Sequence, residues 1–382
     1  MSVENKLLKV DTNTIDSLVV SDGSQTAKTT APTWFEKIKL SKFWIKFSHW
    51  EYWPFEIVYI PVFVYWIFLI IRARAVFFFS ASNPSIENGG MLGESKIKIL
   101  DLILPKYKPK TIHFPSSTTV EEILTSMSKK GICFPFILKP DIGERGSFVE
   151  KIHDETELRD YLKSIRVDFL MQEFITFPIE MGVFYYRFPS EETGKVSSIV
   201  LKDMLKVTGD GTSTIQQLIL KKPRAKLQYD TLKVSLKHKM EQVPKAGEQI
   251  ELVSIGNHCR GTAFLNGNHL INEQLHQVFD RISKSINGFY FGRFDLRCKS
   301  YEDLYKGENI KIMELNGAGS EPGHIYQPGT SIFTAYRDIF HHLNILLKIS
   351  RENHRRGIPY MTVREGLKEI KKLRAYNKLK NG

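Results

Sequence analysis

Hydrophobic and polar positions alternate most plainly along 289–297, "FYFGRFDLR". A period of two predicts a strand, with Arg293, Asp295 and Arg297 on one face and Phe294 and Leu296 on the other. The apolar runs "FPFILKP" (134–140) and "DFLMQEFI" (168–175) predict two further strands, the first carrying one charge, Lys139. A strand over 310–314 puts Ile310, Ile312 and Glu314 on one face, with Asn316 just past its end. Ala75 to Ala81 also reads as a strand. Helical spacing takes over at Val120, Ile123, Leu124 and Met127, behind a capping box of Thr118 and Glu121 and ahead of a stop at Gly131. Asp154 with Glu157 caps a second helix, whose inner face is Leu158, Tyr161, Leu162 and Ile165. "SKIKILDLI" (95–103) opens another helix, and Thr334 to Ile349 reads as an apolar one, with Ile339, Leu343 and Leu346 near helical spacing.

One stretch departs from both periods. Pro54 to Ile71 is apolar except for Glu56, preceded by Trp44, Trp50, Tyr52 and Trp53 and closed by Arg72 and Arg74. Its length sits at the lower limit for crossing a bilayer, and aromatic and basic flanks are interface anchors. Lys37, Lys39, Lys42 and Lys46 would face anionic headgroups. Three readings stand: a span, a helix lying in the interface and bent at Pro61, or a helix buried against the domain that follows. The divisions expected are 1–33, a polar tail; 34–82, the aromatic membrane-associated segment; 83–116, a short substrate region; 117–345, the main domain; and 346–382, a basic helical tail. In that last part Arg355, Arg356, Arg364, Lys368, Lys371, Lys372 and Arg374 suit either a membrane-facing or a solvated helix.

Composition narrows the classes. With 382 residues and 42% hydrophobic content, the chain affords a sizeable core. A net charge of +12 suits an anionic partner. Cys133, Cys259 and Cys298 have neither disulfide-framework nor metal spacing, which favours a reducing compartment. No nucleic-acid module, internal repeat, GxxxxGK loop or kinase catalytic loop is present.

The candidate chemistry lies in the order of the elements. The Lys139 strand runs into "DIGERGSFVEKI", where Gly143 and Gly146 leave a loop whose backbone N–H groups can face phosphate oxygens. Asp295, Glu314 and Asn316 converge from adjacent strands as hard oxygen donors that suit Mg²⁺; alternatively Asp295 pairs only with Arg293 or Arg297. The loop "NPSIENGGMLGESK" (83–96) makes Ser95 and Lys96 substrate-site candidates, or is a plain turn.

From about 117 to 330 the chain resembles ATP-grasp enzymes of the branch that includes D-alanine–D-alanine ligase. The resemblance implies an α+β fold in which two subdomains clasp ATP. It implies that Lys139 binds phosphate, and that Gly143, Arg145, Gly146 and Ser147 belong to the glycine-rich loop. Glu173 falls at the adenine hinge beside Phe174 and Thr176, and Glu180 at the ribose. Asp295, Glu314 and Asn316 fall at the magnesium ligands, in "G-R-x-D" and "E-x-N". Arg293 matches the arginine that steadies the transferred phosphoryl group. "IVLKDMLKVTGDGTSTIQQLI" (199–219) resembles cyanophycin-synthetase-type members, with Lys202 preferred over Lys206 as the phosphate lysine. "GNHCRGTAF" (256–264) makes Asn257, His258 and Arg260 candidates near the reacting carboxylate, unless Arg260 only decorates a solvated loop. In "NGAGSEPGHIYQPG" (316–329), longer than the ligase turn, Ser320, Glu321, His324 and Tyr326 are acceptor-side candidates, although His324 equally suits a plain loop histidine. The ligases' usual N-terminal domain is largely missing, so D-alanine is not carried over.

The implied activity is an ATP- and Mg²⁺-dependent carboxylate–amine ligase working through an acylphosphate. Its substrates would be a carboxylate and an amine, small or lipid-linked, at the inner face of the membrane and in the cytoplasm. Two alternatives remain: a non-catalytic ATP-binding module of a membrane complex, and a phosphotransferase on the same fold.

Overall fold

The computed structural model describes Trp44, Phe47 and residues 49–381, apart from 144–145, 254–255 and 257–260. The polar tail 1–33 and Lys37, Lys39, Lys42 and Lys46 lie outside the described residues.

Two antiparallel sheets carry the architecture. The first has four strands in the order β1–β4–β2–β3: β1 (Thr111–Phe114), β2 (Phe136–Pro140), β3 (Glu150–Ile152) and β4 (Phe169–Glu173). The second contains β5 (Ile179–Tyr186), β6 (Lys195–Asp203), β9 (Ala263–Asn266), β10 (Phe291–Cys298) and β11 (Ile310–Asn316), in the order β11–β10–β5–β6–β9. A small ribbon pairs β7 (Lys206–Thr208) with β8 (Gln249–Glu251).

Helices cover one face of each large sheet. Helix α1 (Ile60–Ala73) lies outside this pattern, and α2 (Lys96–Leu102) leads into β1. Helices α3 (Val120–Lys130) and α4 (Glu155–Ser164) send Ile123, Leu158 and Tyr161 into a core with Phe136, Leu138, Phe169 and Met171. Helix α5 (Glu273–Lys284) buries Leu275, Val278, Phe279 and Ile282 against Met181, Val183, Phe294 and Leu296. Alternation along β4, β5 and β10 therefore leaves each sheet one face for the opposite lobe. The expected fold class is the one observed: α+β, with two sheet-bearing lobes about a shared cleft.

Several expectations are corrected. The capping box is Thr119 with Glu122, one residue later than Thr118 with Glu121; "TTVEE" satisfies the pattern in both registers, and the later one is used. Residues 75–81 do not form a strand. Phe78–Ala81 is a 3-10 turn, and Phe77, Phe78 and Phe79 are all buried, so no alternation existed to read. Pro61 does not bend α1 but sits in its first turn, where a missing N–H costs nothing. The apolar helix expected over 334–349 runs from Ile332 to Arg355 as α6, so position 345 lies inside it.

The aromatic segment packs on the body. Val58, Tyr59 and Val62 join Ile325, Ala335 and Ile339, and Leu69 joins Phe78, Phe79 and Leu346. Arg224 forms a part-buried ion pair with Glu51 at 2.9 Å. Among the described residues no helix is long and apolar enough to cross a membrane. The basic C-terminal stretch forms α7 (Val363–Asn381). Its Tyr376 packs on the first lobe's core and accepts a hydrogen bond from the Ile142 N–H at 3.4 Å.

Candidate functional site

The two sheets enclose a cleft of about 180 Å³ that is lined from both lobes. Lys139, Gly143, Gly146, Ser147, Glu173 and Phe174 come from the first lobe and its glycine loop. Glu180, Lys202, Asp295, Arg297 and Glu314 come from the second, and Lys96 reaches in from α2. A larger cavity of about 640 Å³, bounded by Ser95, His113, Asp141 and Tyr376 among others, lies against α7 and lacks this convergence of strand-borne charges.

Lys139 is the last charged position of β2 and is 7% exposed. Its Nζ donates to Gln172 Oε1 at 3.0 Å and to the Met313 carbonyl at 3.1 Å. Burial pushes its pKa down to about 8, although the Glu314 carboxylate opposes the shift. The Met313 carbonyl owes its position to a bulge. Asp295 pairs with Glu314, but Leu296 pairs with Ile312, so Met313 is the extra residue of β11. Ile310 and Ile312 therefore face the core with Leu296, and Glu314 faces Asp295 on the cleft side. This corrects the expectation that the three share a face.

Asp295 is the most constrained carboxylate. Its Oδ2 accepts from Arg293 Nη2 at 2.9 Å and from Asn316 Nδ2 at 3.0 Å. Lys202 Nζ stands 3.3 Å from Oδ1, close enough for charge attraction but outside hydrogen-bond geometry, so Oδ1 has no hydrogen-bond partner. Burial raises the cost of its charge, yet Arg293 and Lys202 together hold the carboxyl below its usual range. Lys202 Nζ is also 3.3 Å from Glu180 Oε1. Burial opposes the Lys202 charge, but Asp295 and Glu180 outweigh it and raise its pKa. Lys206, the other candidate, pairs with Asp203 at 3.8 Å.

Two glycines make this packing possible. Gly182 stands between Val200 and Asp295 in register; a Cβ there would lie 2.9 Å from Val200 Cγ1 and 3.1 Å from both Arg293 Cδ and Asp295 Oδ1. Gly256 passes over Glu180, where a Cβ would come within 2.3 Å of Oε1. Its neighbours Asn257, His258 and Arg260 lie outside the described residues, as does Arg145 in the glycine loop.

Arg297, on the same face as Asp295, does not pair with it. It binds Glu180 Oε2 through Nη2 at 2.6 Å and donates to the Ile175 carbonyl at 3.0 Å. Its guanidinium lies 5.7 Å from the Phe174 ring centre, over which Lys151 Nζ also stands at 3.9 Å. Arg297 thus ties Glu180 to the 174–177 segment. Glu173 accepts from the Lys110 N–H at 3.1 Å, and Thr176 is exposed.

In the 316–329 loop, Tyr326 Oη donates to Glu321 Oε2 at 2.8 Å, and Tyr59 Oη donates to Glu321 Oε1. Arg293 Nη1 donates to the Glu321 carbonyl at 3.1 Å, which links this cluster to Asp295. Ser320 Oγ closes a turn onto the Gly317 carbonyl at 2.6 Å. His324 is buried, with Nδ1 2.7 Å from Ser198 Oγ and Nε2 3.0 Å from Asp338 Oδ2. Ser95 caps α2, and Lys96 stands 3.7 Å from Glu314 and donates to the Gly143 carbonyl. Gln172, Lys151, Gly182 and Tyr59 were missed at the sequence level, as was the pairing of Arg297 with Glu180. Each owes its place to cross-strand register or to a contact distant in sequence.

A divalent ion fits this donor set. Among the described residues no three His, Cys, Asp or Glu side chains come together as a metal cage. The cross-strand pair Asp295 and Glu314, one with an orphan oxygen, supplies the two carboxylates that Mg²⁺ commonly takes when phosphate oxygens complete its shell.

No protein-family model matches the sequence, and no curated protein matches it. Among solved structures, D-alanine–D-alanine ligase from Bacillus anthracis is 14% identical with a TM-score of 0.36, over 69% of this chain and 69% of that one. VanG D-Ala:D-Ser ligase from Enterococcus faecalis is 14% identical with a TM-score of 0.38, over 68% and 61%. A bifunctional glutathione synthetase from Pasteurella multocida is 14% identical with a TM-score of 0.34, over 64% of this chain and 36% of that protein, so the chain spans about a third of its length.

Proposed function

We propose that this chain is an ATP-dependent carboxylate–amine ligase of the ATP-grasp kind, forming an amide through an acylphosphate. The observation that carries the reading is the cleft's set of ion pairs around a buried lysine, Lys139, that has only neutral partners. Lys96 leans on Glu314, and Lys202 bridges Glu180 and Asp295. Magnesium-bound ATP can enter such a lattice by exchange. Its phosphates would replace carboxylates at Lys96 and Lys202 and bring a charged partner to Lys139, whose present partners are the neutral Gln172 Oε1 and Met313 carbonyl, and the released carboxylate oxygens of Asp295 and Glu314 would hold the divalent ion. No buried charge is then left unpaired, the condition under which buried ions are tolerable.

Residue roles follow from position. Lys139 and the N–H groups of Gly146 and Ser147 bind phosphate oxygens, and Phe174 offers a ring face at the end of the cleft that Arg297 closes. Arg293 lies between Asp295 and the Glu321 carbonyl, where it would bind the transferred phosphoryl group and then the oxyanion. A substrate carboxylate oxygen attacks the γ-phosphorus as the bond to ADP breaks. The amine nitrogen then attacks the acyl carbon, and inorganic phosphate leaves as the amine gives up its proton. Mg²⁺ at Asp295, Glu314 and Asn316 would neutralise charge on the phosphates. The glycine loop over Lys139 would exclude water that otherwise hydrolyses the acylphosphate. The acid and the amine would be small or lipid-linked, and the reading sets the enzyme in the cytoplasm, at the inner face of the membrane.

The test is ADP release against pooled amino acids, peptides and amino lipids in detergent, with product mass analysis. An amide formed in step with ADP supports the ligase. A phosphorylated product without an amide supports the phosphotransferase, and nucleotide binding without turnover supports a regulatory module.

A further inference from the structure

The outward face of α1 is an apolar stripe. Ile60, Phe63, Val64, Ile67, Phe68 and Ile71 recur at helical spacing and are between 49% and 68% exposed. The opposite face carries Val62 and Leu69 into the body. Side chains of this size leave roughly 600 Å² or more of continuous apolar surface, at the upper end of what monomers expose without a partner. No charged side chain interrupts the chain from Ile57 to Ile71.

The ends of the stripe identify the partner. Arg72 and Arg74 are exposed at the C-terminal end, and the Arg72 guanidinium stands 5.5 Å from the Phe68 ring centre. Trp53 and Phe55 are about 40% exposed before the N-terminal end. Apolar side chains between a tryptophan at one end and arginines at the other match the depth profile of a bilayer interface, where indole and guanidinium sit at the headgroups. A 14-residue helix is about 21 Å long, too short to span but suited to lying in the plane.

We propose that the outer face of α1 docks this protein on an anionic lipid bilayer, with α1 parallel to the surface and Arg72 and Arg74 on the phosphates. Tyr59, at the N-terminal end of α1, reaches Glu321 and Tyr326. If the ligase reading holds, docking therefore brings the acceptor end of the cleft to the interface, where an amphiphilic acid or amine can be taken from the bilayer.

The test is co-sedimentation of the full chain with phosphatidylcholine vesicles, with and without phosphatidylglycerol, alongside F63E/I67E and R72E/R74E variants. Both pairs are exposed, so circular dichroism and magnesium–ATP affinity should match wild type. The proposal expects binding to anionic vesicles, weakened about tenfold or more by F63E/I67E. It expects a smaller loss in R72E/R74E or high salt. Absence of vesicle binding by a folded, nucleotide-binding wild type would overturn docking and leave the ligase reading intact. A dimer in solution that F63E/I67E converts to monomer, with no vesicle binding, would assign the face to a second copy instead. Vesicle binding without nucleotide binding would support docking and remove the ligase reading.

Discussion

Lys139 joins fold stability and nucleotide binding with opposite signs. In the folded chain its pKa is pushed down to about 8, against an ordinary 10.5. The unfolded chain therefore binds more protons between those values, and stability rises with pH across that window. The cost of the buried charge is fully present below pH 8 and amounts to about 3 kcal/mol. A bound triphosphate favours the ammonium form and lifts the pKa again. ATP binding should therefore take up a proton above pH 8, and affinity at pH 9 should fall about tenfold from its value at pH 7.5. Lys139→Met removes the charge but leaves Gln172 Oε1 without its donor and the Met313 carbonyl with only the 3.4 Å bond from Gln172 Nε2, which returns about 1–3 kcal/mol of the gain. The variant should be as stable as wild type at pH 7, or up to about 2 kcal/mol more stable, while losing ATP affinity by about tenfold or more. Urea unfolding gives the first quantity. Calorimetric titration with ATP in buffers of different ionisation enthalpy gives the affinity and proton uptake. The reasoning is refuted by a wild-type affinity flat from pH 7.5 to 9.5, or by a variant that binds ATP normally.

Glu314→Gln should abolish ATP turnover and lower the unfolding midpoint only slightly, since Glu314 is partly exposed and the change weakens its 3.7 Å contact with Lys96 and its support of the buried Lys139 charge; turnover at the wild-type rate would remove the metal assignment. Gly182→Ala should cut turnover more than stability, because the new methyl displaces Arg293 and Asp295 from positions 3.1 Å away; steady-state kinetics beside thermal melts separate the two effects. His342, held by Ser197 Oγ and the Asp338 carbonyl, has its pKa pushed down to about 4 by burial. Its neutral form supports the fold fully above pH 6.5, and about 3 kcal/mol of that support is lost as pH falls from 6.5 to 4. Stability measured across that range should show a slope that His342→Gln removes.

The sequence revealed the site where its signals were local. Asp295 with Arg293 on one face of β10, Lys139 ending β2, and the Asp154 cap follow from periods and caps within a few residues. What escaped depends on register. The bulge at Met313 shifts β11 by one residue, and nothing in "IKIMELN" marks it, so Ile310 and Ile312 were placed on the wrong face. Arg297 meets Glu180, and Gly182 lies beneath Asp295, only because β10 pairs with β5 in one particular alignment. Tyr59 and Glu321 are 262 positions apart and meet because α1 packs beside α6. Phe77 to Phe79 gave no period, because all three are buried.

The most direct test of the account is equilibrium titration of the full chain with ATP, in excess Mg²⁺ and again with the ion chelated. The account predicts one nucleotide per chain, bound more tightly with Mg²⁺ in the wild type, and no such gain in an Asp295→Asn, Glu314→Gln double variant that stays folded. Equal affinity with and without the ion, or an undiminished magnesium effect in the double variant, would contradict it.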